Sequence, residues 1–333
     1  MKIVVNNTHT IESSAGKTLL DLLKDAGIFL PSGCGGRGAC GMCRVKVASG
    51  KLPPLTKPEL FWLSKTEQDQ GFRLACRINP DSDLAIDVPE DILAIRGYDT
   101  EVISLRDLTY DVKEVTLRLL HPPEIRFRAG QFVQLKVPPY ELTPQPVYRA
   151  YSIASNPLAA EEITLHVRFV PNGISTTYVH HHLKVGDRVS VNGPHGRVYL
   201  RESNNAIIFI AGGSGMAPIR SMLFELLNRK STRRAIYFFG ARTCRDLFLV
   251  DEMAQFAERL PDFTFVPAIS DPQPADMWCG ERGLITEVVA RHVVSGANTE
   301  AYLCGSPVMI NACLKVLGEK GVPEEMIFYD KFV

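Results

Sequence analysis

The chain has 333 residues, 45% hydrophobic and 22% charged, an ordinary composition for folded protein that excludes bulk disorder. Basic and acidic side chains balance at 37 each, and the balance holds locally: residues 1–97 carry 12 basic and 11 acidic groups, 98–200 carry 11 and 10, and 201–333 carry 14 and 16. No segment shows the basic excess of a nucleic-acid binder, and the longest apolar run, Ala206–Ala211, is far too short to span a membrane.

The amino terminus lacks the apolar core of a signal peptide, so a cytoplasmic, monomeric protein is expected. Its 8 cysteines then read as thiols, metal ligands or catalytic groups rather than disulfides. Residues 1–97 open with strand-like runs at Lys2–Val5 and Thr10–Glu12. A helix is expected over Thr18–Ala26, with Leu19, Leu20, Leu22, Leu23 and Ala26 on its apolar side and Gly27 as its stop. A Gly- and Cys-rich loop, Pro31–Cys43, leads into a strand over Cys43–Ala48, which together suggest a small α+β module.

Residues 98–200 are strand-rich: Glu101–Leu105, Val112–Leu120, Phe132–Val137, Ala150–Ala154, Ile163–Val170 and Arg188–Gly193 predict an antiparallel barrel. Pro138–Pro146 holds four prolines in nine residues and reads as an inserted loop. Residues 201–333 alternate strand and helix, with strands at Ala206–Ala211, Ala235–Phe239, Phe263–Ala268, Ala301–Cys304 and Met326–Tyr329. Five strands with helical crossovers predict a doubly wound parallel sheet whose ligands lie beyond the carboxyl ends of the strands.

Cys34, Cys40 and Cys43 form C-x5-C-x2-C, and Cys76 follows 33 residues later. Four thiolates in this order can ligate a [2Fe–2S] cluster, two per iron, and the intervening glycines let backbone N–H groups approach the sulfides. Zinc is the alternative, but a zinc knuckle presents two short cysteine pairs, whereas three ligands here crowd one loop. Between Ala26 and Pro58 there is no acidic residue, while Arg37, Arg44, Lys46, Lys51 and Lys57 are present. These cations either offset an anionic cluster or form a docking face for an acidic acceptor.

The cysteine loop resembles plant- and adrenodoxin-type ferredoxin modules of β-grasp fold, although the plant-type gap between the first two cysteines is four residues and here it is five. Downstream, Arg149-Ala150-Tyr151-Ser152 and Gly173-Ile174-Ser175-Thr176 resemble the R-x-Y-S and G-x-x-T motifs of the ferredoxin–NADP reductase superfamily. That resemblance implies that Arg149 pairs with the FAD pyrophosphate, Tyr151 lies against the flavin, and Ser152 hydrogen-bonds near flavin N5. Gly173, Ser175 and Thr176 would offer N–H groups and a hydroxyl to the phosphates.

In the last segment, Gly213, Gly215 and Pro218 belong to a G-x-G-x-x-P element that lets a pyrophosphate approach a helix amino terminus. Cys304 and Gly305 open an element resembling the superfamily's C-G-x-x-x-M motif, which would set the cysteine beside the nicotinamide. Phe332, the penultimate residue, is the candidate aromatic that covers the flavin. Cys304, Ser152 and Phe332 are thus the expected hydride-transfer residues. Cys244, Cys279 and Cys313 read as structural, and His180, His181 and His182 receive no role.

The resemblance covers the whole chain and implies three modules: 1–97 with the cluster, 98–200 with FAD and 201–333 with NADH. The expected path runs from NADH to FAD to [2Fe–2S] to a partner protein, most simply the oxygenase component of a multicomponent monooxygenase. The alternative is a soluble relative of the flavin and iron–sulfur subunit of sodium-translocating NADH:quinone oxidoreductase, which carries a membrane helix that this sequence lacks. A redox-sensing module without turnover is a rival from another class, opposed by the intact cysteines and R-x-Y-S. NADH is expected over NADPH because Asp246 follows Gly240-Ala241-Arg242 and would repel a 2′-phosphate.

Overall fold

The computed structural model describes residues 1–12, 16–273 and 277–332. In the first module, β1 (Lys2–Val5) and β2 (His9–Glu12) form a hairpin, followed by α1 (Leu19–Asp25) and β3 (Arg44–Gly50). Two short helices, α2 (Lys57–Trp62) and α3 (Lys65–Asp69), precede β4 (Phe72–Leu74), β5 (Leu84–Asp87) and α4 (Glu90–Leu93). The sheet order is β2-β1-β5-β3-β4, with β1 and β5 parallel. Leu19, Leu20, Leu22 and Leu23 of α1 are buried against Ile3, Val5 and Ile86, so the helix packs with the apolar side its spacing predicts. Thr18 caps it by accepting the Asp21 N–H at 3.2 Å.

One buried ion pair ties the α2 region to the strand before Cys76. Glu59 is fully buried; it accepts from Arg73 Nε at 2.7 Å, from Thr56 N and Oγ1 at 2.8 Å each, and from Leu74 N at 3.2 Å. Removing either charge would leave its partner buried and uncompensated, a loss of about 3–5 kcal/mol.

The second module comprises β6 (Arg96–Asp107), β7 (Val112–His121), β8 (Phe132–Val137), β9 (Val147–Ser152), β10 (Glu162–Arg168), α5 (Ile174–Thr177) and β11 (Arg188–His195). Its order is β10-β7-β6-β11-β8-β9, and an antiparallel bridge between Ile153 and Leu165 joins the two edges. The Ala154 N–H donates to the Thr164 carbonyl at 2.7 Å in the same closure, giving the expected antiparallel barrel. Here β9 begins three residues earlier than its sequence suggests, placing Arg149, Tyr151 and Ser152 together on one strand paired with β8.

The third module runs β12 (Ala206–Gly212), α6 (Met216–Asn228), β13 (Ala235–Ala241), α7 (Val250–Arg259), β14 (Phe263–Ile269), β15 (Glu281–Arg282), α8 (Ile285–His292), β16 (Thr299–Gly305), α9 (Pro307–Glu319) and β17 (Ile327–Lys331). All five pairings in the sheet β15-β14-β13-β12-β16-β17 are parallel. The five expected strands are present, and two-residue β15, too short to leave a hydrophobic pattern, adds a sixth at the edge. Winding reverses between β12 and β16, so a crevice opens beyond their carboxyl ends.

The modules are in contact. Gln134 Nε2 donates to the Leu30 carbonyl at 2.9 Å, and the Lys24 ammonium lies 4.5 Å from the Tyr148 ring centre, joining the first module to the barrel. Ser221 Oγ and Arg220 Nη1 of α6 donate to the carbonyls of Ser155 and Ala154 at 2.9 and 3.2 Å, joining the barrel to the third. Among the described residues, no helix is long and apolar enough to cross a membrane.

Candidate functional site

The four cysteines of the first module come together as two pairs. Cys34 and Cys40 lie with their sulfurs 3.4 Å apart on the glycine loop, and Cys43 meets Cys76, which the turn Ala75–Arg77 carries in after β4. The hydrogen bond from the Cys40 thiol, opposed by burial and supported by the N–H groups of Ala39, Cys40 and Gly36, pulls Cys34 down to about 4. Cys40 moves the other way, raised by its contact with Cys34 and by burial. In the second pair, Cys43 lowers Cys76 to about 7, against burial and helped by Arg77, while Cys43 itself is raised.

Two thiol pairs, with the N–H groups of Ala39, Cys40 and Gly36 turned to Cys34, fit a two-iron cluster. Arg77 Nε, buried beside Cys76 with no hydrogen-bond partner, is a spare donor for a cluster sulfur.

The cluster loop presses on the barrel at Gly35. With φ at +63°, Gly35 sits where an added Cβ would overlap Arg149 Nη1 and lie 2.5 Å from the Tyr148 carbonyl oxygen. Arg149 therefore stands between the loop and the barrel, its Nη1 donating to the Tyr148 carbonyl at 2.8 Å. Burial, then the nearby Arg37, lower its pKa, opposed by Tyr151 and Cys34. Two residues on, the Tyr151 hydroxyl donates to Ser175 Oγ at 2.8 Å, and burial pushes the phenol up to about 12.

Gly173 caps α5, but the Thr176 hydroxyl is spent on its own turn, accepting from Val170 N at 3.2 Å and donating to the Val170 carbonyl. Ser175, bonded to Tyr151, is the hydroxyl beside β9. His182 pairs with Glu141 at 2.9 Å and His180 contacts the Val167 carbonyl at 3.0 Å, so neither is aimed at a ligand.

The crevice of the third module joins the glycine turn to the cysteine motif. Gly215 packs so closely on β16 that an added Cβ would overlap the Cys304 carbonyl oxygen and lie 2.8 Å from its carbon. Cys304 is fully buried and receives the Asp330 N–H, and burial raises its thiol well above the usual range. Burial therefore favours the neutral thiol over the thiolate. The Phe332 N–H donates to the Gly305 carbonyl at 2.9 Å, which holds the half-buried ring beside the same motif. Pro218 is buried in the first turn of α6. Gly212, Gly213, Gly240, Arg242, Ser306 and Met309 line a cavity of about 250 Å³ here.

Two functional candidates were illegible in the sequence. Arg168 of β10 reaches from the barrel into this cavity, 3.4 Å from where a Gly213 Cβ would lie, and is steered by Asp111 at 2.7 Å. Asp330 lies opposite Cys304 in the register of β16 and β17, and burial pushes its carboxyl up to about 6.

A carboxyl with a raised folded pKa contributes stability that is full below its unfolded value of about 3.9 and is lost as pH rises through about 6. Replacing Asp330 by Asn is therefore expected to raise Tm more at about pH 8 than at about pH 5. Equal shifts at both pH values would contradict the buried-carboxyl assignment.

Asp246 accepts from Thr243 N and Oγ1 and from the Tyr110 hydroxyl, all at 2.8 Å, so it clamps a barrel turn to the end of β13. One expectation needs correction. Cys279 is exposed and is not a core thiol, whereas Cys313 is buried and Cys244 half-buried.

Residues 3–81 match the 2Fe-2S iron-sulfur cluster binding domain, 99–199 the oxidoreductase FAD-binding domain and 209–315 the oxidoreductase NAD-binding domain. The F subunit of the Na(+)-translocating NADH-quinone reductase of Neisseria meningitidis is 35% identical over 370 aligned positions, covering 99% of this chain and 91% of that protein. Its Klebsiella pneumoniae counterpart is also 35% identical, with 99% and 91% covered. Among solved structures, an Amycolatopsis cytochrome P450 reductase superposes with a TM-score of 0.80 at 29% identity, covering 99% of this chain and 98% of the other. The ferredoxin reductase in carbazole 1,9a-dioxygenase gives 0.76 at 27%, covering 100% and 98%.

The chain belongs to the ferredoxin–NAD(P)H reductase superfamily. It is the form with a [2Fe–2S] module, an NADH-dependent flavin oxidoreductase that carries out electron transfer. In this reductase the cluster loop and the strand bearing R-x-Y-S touch at Gly35 and Arg149, and the glycine turn and cysteine motif touch at Gly215 and Cys304.

Proposed function

We propose that the chain takes electrons from NADH at the crevice between β12 and β16 and releases them singly through the four-cysteine loop to a partner protein. The contact of Gly35 with Arg149 and Tyr148 carries this reading, since it sets Cys34 beside the strand that holds Tyr151 and Ser152. When bound, FAD accepts two electrons together and releases them one at a time, and a [2Fe–2S] cluster holds one.

The chain's own part is placement. Cys34, Cys40, Cys43 and Cys76 hold the cluster; Arg149, Tyr151, Ser152, Gly173, Ser175 and Thr176 form the FAD site. Gly213, Gly215, Pro218 and Gly305 receive the nucleotide, with the Arg168 guanidinium beside its phosphates. Cys304 and Phe332 wall the place where nicotinamide meets flavin. The modules divide near residues 97 and 200.

An oxygenase component is the favoured partner, because both full-length structural neighbours serve oxygenases by their names: a cytochrome P450 reductase and the reductase in carbazole 1,9a-dioxygenase. The 35% identity to the Neisseria NADH-quinone reductase protein over 99% of the chain supports a second reading, in which a quinone-reducing assembly takes the electrons.

Anaerobic titration of the purified protein with NADH tests the core of the proposal: flavin and cluster absorption are both expected to bleach. A yellow protein without cluster bands, or a colourless one, would sink it. Replacing Phe332 by Ala is expected to tighten oxidised-nicotinamide binding by about tenfold, because a ring occupying the nicotinamide's place taxes affinity by its occupancy. Difference spectroscopy reads this, and an unchanged affinity would remove Phe332 from the flavin face.

A further inference from the structure

Cations near the cysteine loop, from the basic stretch and from beyond it, differ in where they point. Arg77 and Arg149 turn inward, one beside Cys76 and the other beside Cys34, and Arg44 is consumed by Glu67 and by the carbonyls of Gly41 and Trp62. These inward guanidiniums supply the positive charge that an anionic cluster needs. Arg37 and Lys57 are exposed, and among the described residues neither has an ion-pair partner, the Arg37 Nε donating to the Cys34 carbonyl at 3.1 Å. The chain segments that carry them are neighbours, since Pro58 lies 3.3 Å from where a Gly38 Cβ would sit.

On the helix that Lys57 opens stands an apolar knob. Phe61 is 77% exposed and Leu60 55% exposed, an unusual display for two consecutive large residues on a six-residue helix. The knob is mechanically continuous with the cluster loop. Phe61 packs edge-on against Trp62 at 4.9 Å; Trp62 donates Nε1–H to the Gly38 carbonyl at 3.2 Å and lies 2.7 Å from where a Gly41 Cβ would be.

We propose that Leu60 and Phe61, rimmed by Arg37 and Lys57, form the docking surface for the electron acceptor, a protein with an apolar recess bordered by carboxylates. An aromatic anchor in a desolvated centre with a charged rim is the usual anatomy of such an interface. The rim cations speed encounter with an acidic partner, and the buried ring sets residence time. This rests on the reading that electrons leave through the cysteine loop.

The test uses full-length holoprotein with NADH and two one-electron probes, acidic soluble cytochrome b5 and basic cytochrome c, with ferricyanide as the small acceptor. Wild type is expected to favour cytochrome b5, with a rate that falls as salt rises. Combining Phe61→Ser with Lys57→Glu should cut kcat/KM for cytochrome b5 by about tenfold. The cluster spectrum and ferricyanide turnover should be unchanged, and Phe61→Leu should keep most of the activity. An unchanged cytochrome b5 rate in the double variant, or a wild-type preference for cytochrome c, would overturn the surface. Phe61-dependent self-association in sedimentation velocity would overturn it in favour of a second copy of the chain. Wild type that reduces ferricyanide but neither cytochrome would overturn the loop as the exit, and this surface with it.

Discussion

Replacing Cys76 by Ser is expected to reduce NADH-driven reduction of a one-electron protein acceptor to background while sparing NADH–ferricyanide turnover. Cys76 is 3% exposed and meets Cys43, and with Arg77 beside it the thiol is held near 7, against burial. A serine hydroxyl has no comparable route to an anionic ligand, so the iron held by this pair would lose its second thiolate. The module should still fold, since Leu74, Ala75 and Ile78 around the turn remain buried and the change removes no packing volume of consequence. The residues assigned to FAD lie on the barrel and are untouched. Visible spectra before and after reconstitution, with parallel cytochrome c and ferricyanide assays, read the outcome. Loss of FAD together with the cluster would contradict separate binding by the two modules.

Replacing Gly215 by Ala should be the most damaging single change at the nucleotide crevice. The backbone there is helical, with φ at −61°, so alanine brings no conformational strain. The damage is contact: the new methyl would overlap the Cys304 carbonyl oxygen and stand 3.3 Å from Gly305 N, and both are backbone atoms of a fully buried strand. Backbone cannot swing aside as a flexible side chain can. The glycine turn and β16 must therefore part at the point where the sheet's winding reverses, at a cost of about 1–3 kcal/mol. NADH kcat/KM with ferricyanide is expected to fall by about a hundredfold, the cost of a misplacement near 1 Å. Cluster and flavin spectra should persist. Gly318→Ala is the control, because nothing lies within 4 Å of its added Cβ. Wild-type kinetics in the Gly215 variant would show that the crevice is not where NADH acts.

Ligand identity and module order were readable along the chain. The cysteine spacing, R-x-Y-S and the glycine turn are local patterns, and each depends on neighbours within a few residues or on one strand-to-helix junction. The apolar side of α1 and the five strands around Ala206–Ala211 were equally readable, because period and burial coincide in them. Short β15, lacking room for a period, was not.

The contacts that turn these patterns into a site join residues far apart in sequence, and no periodicity records them. Gly35 against Arg149 and Arg168 against Gly213 exist because three sheets pack in one arrangement, and Asp330 lies opposite Cys304 because β17 pairs in register with β16. Charge was the least legible property. Asp246 is also a clamp, because Tyr110, 136 residues away, meets its carboxylate. The cations between Ala26 and Pro58 do not share one environment: Arg44 pairs with Glu67 and Arg37 donates to the Cys34 carbonyl, while Lys57 is exposed and unpaired among the described residues. Composition and spacing dictate which groups the chain carries and what they can bind. Packing dictates which of those groups are desolvated, paired or left open, and the energy of a charge depends on that environment more than on its identity.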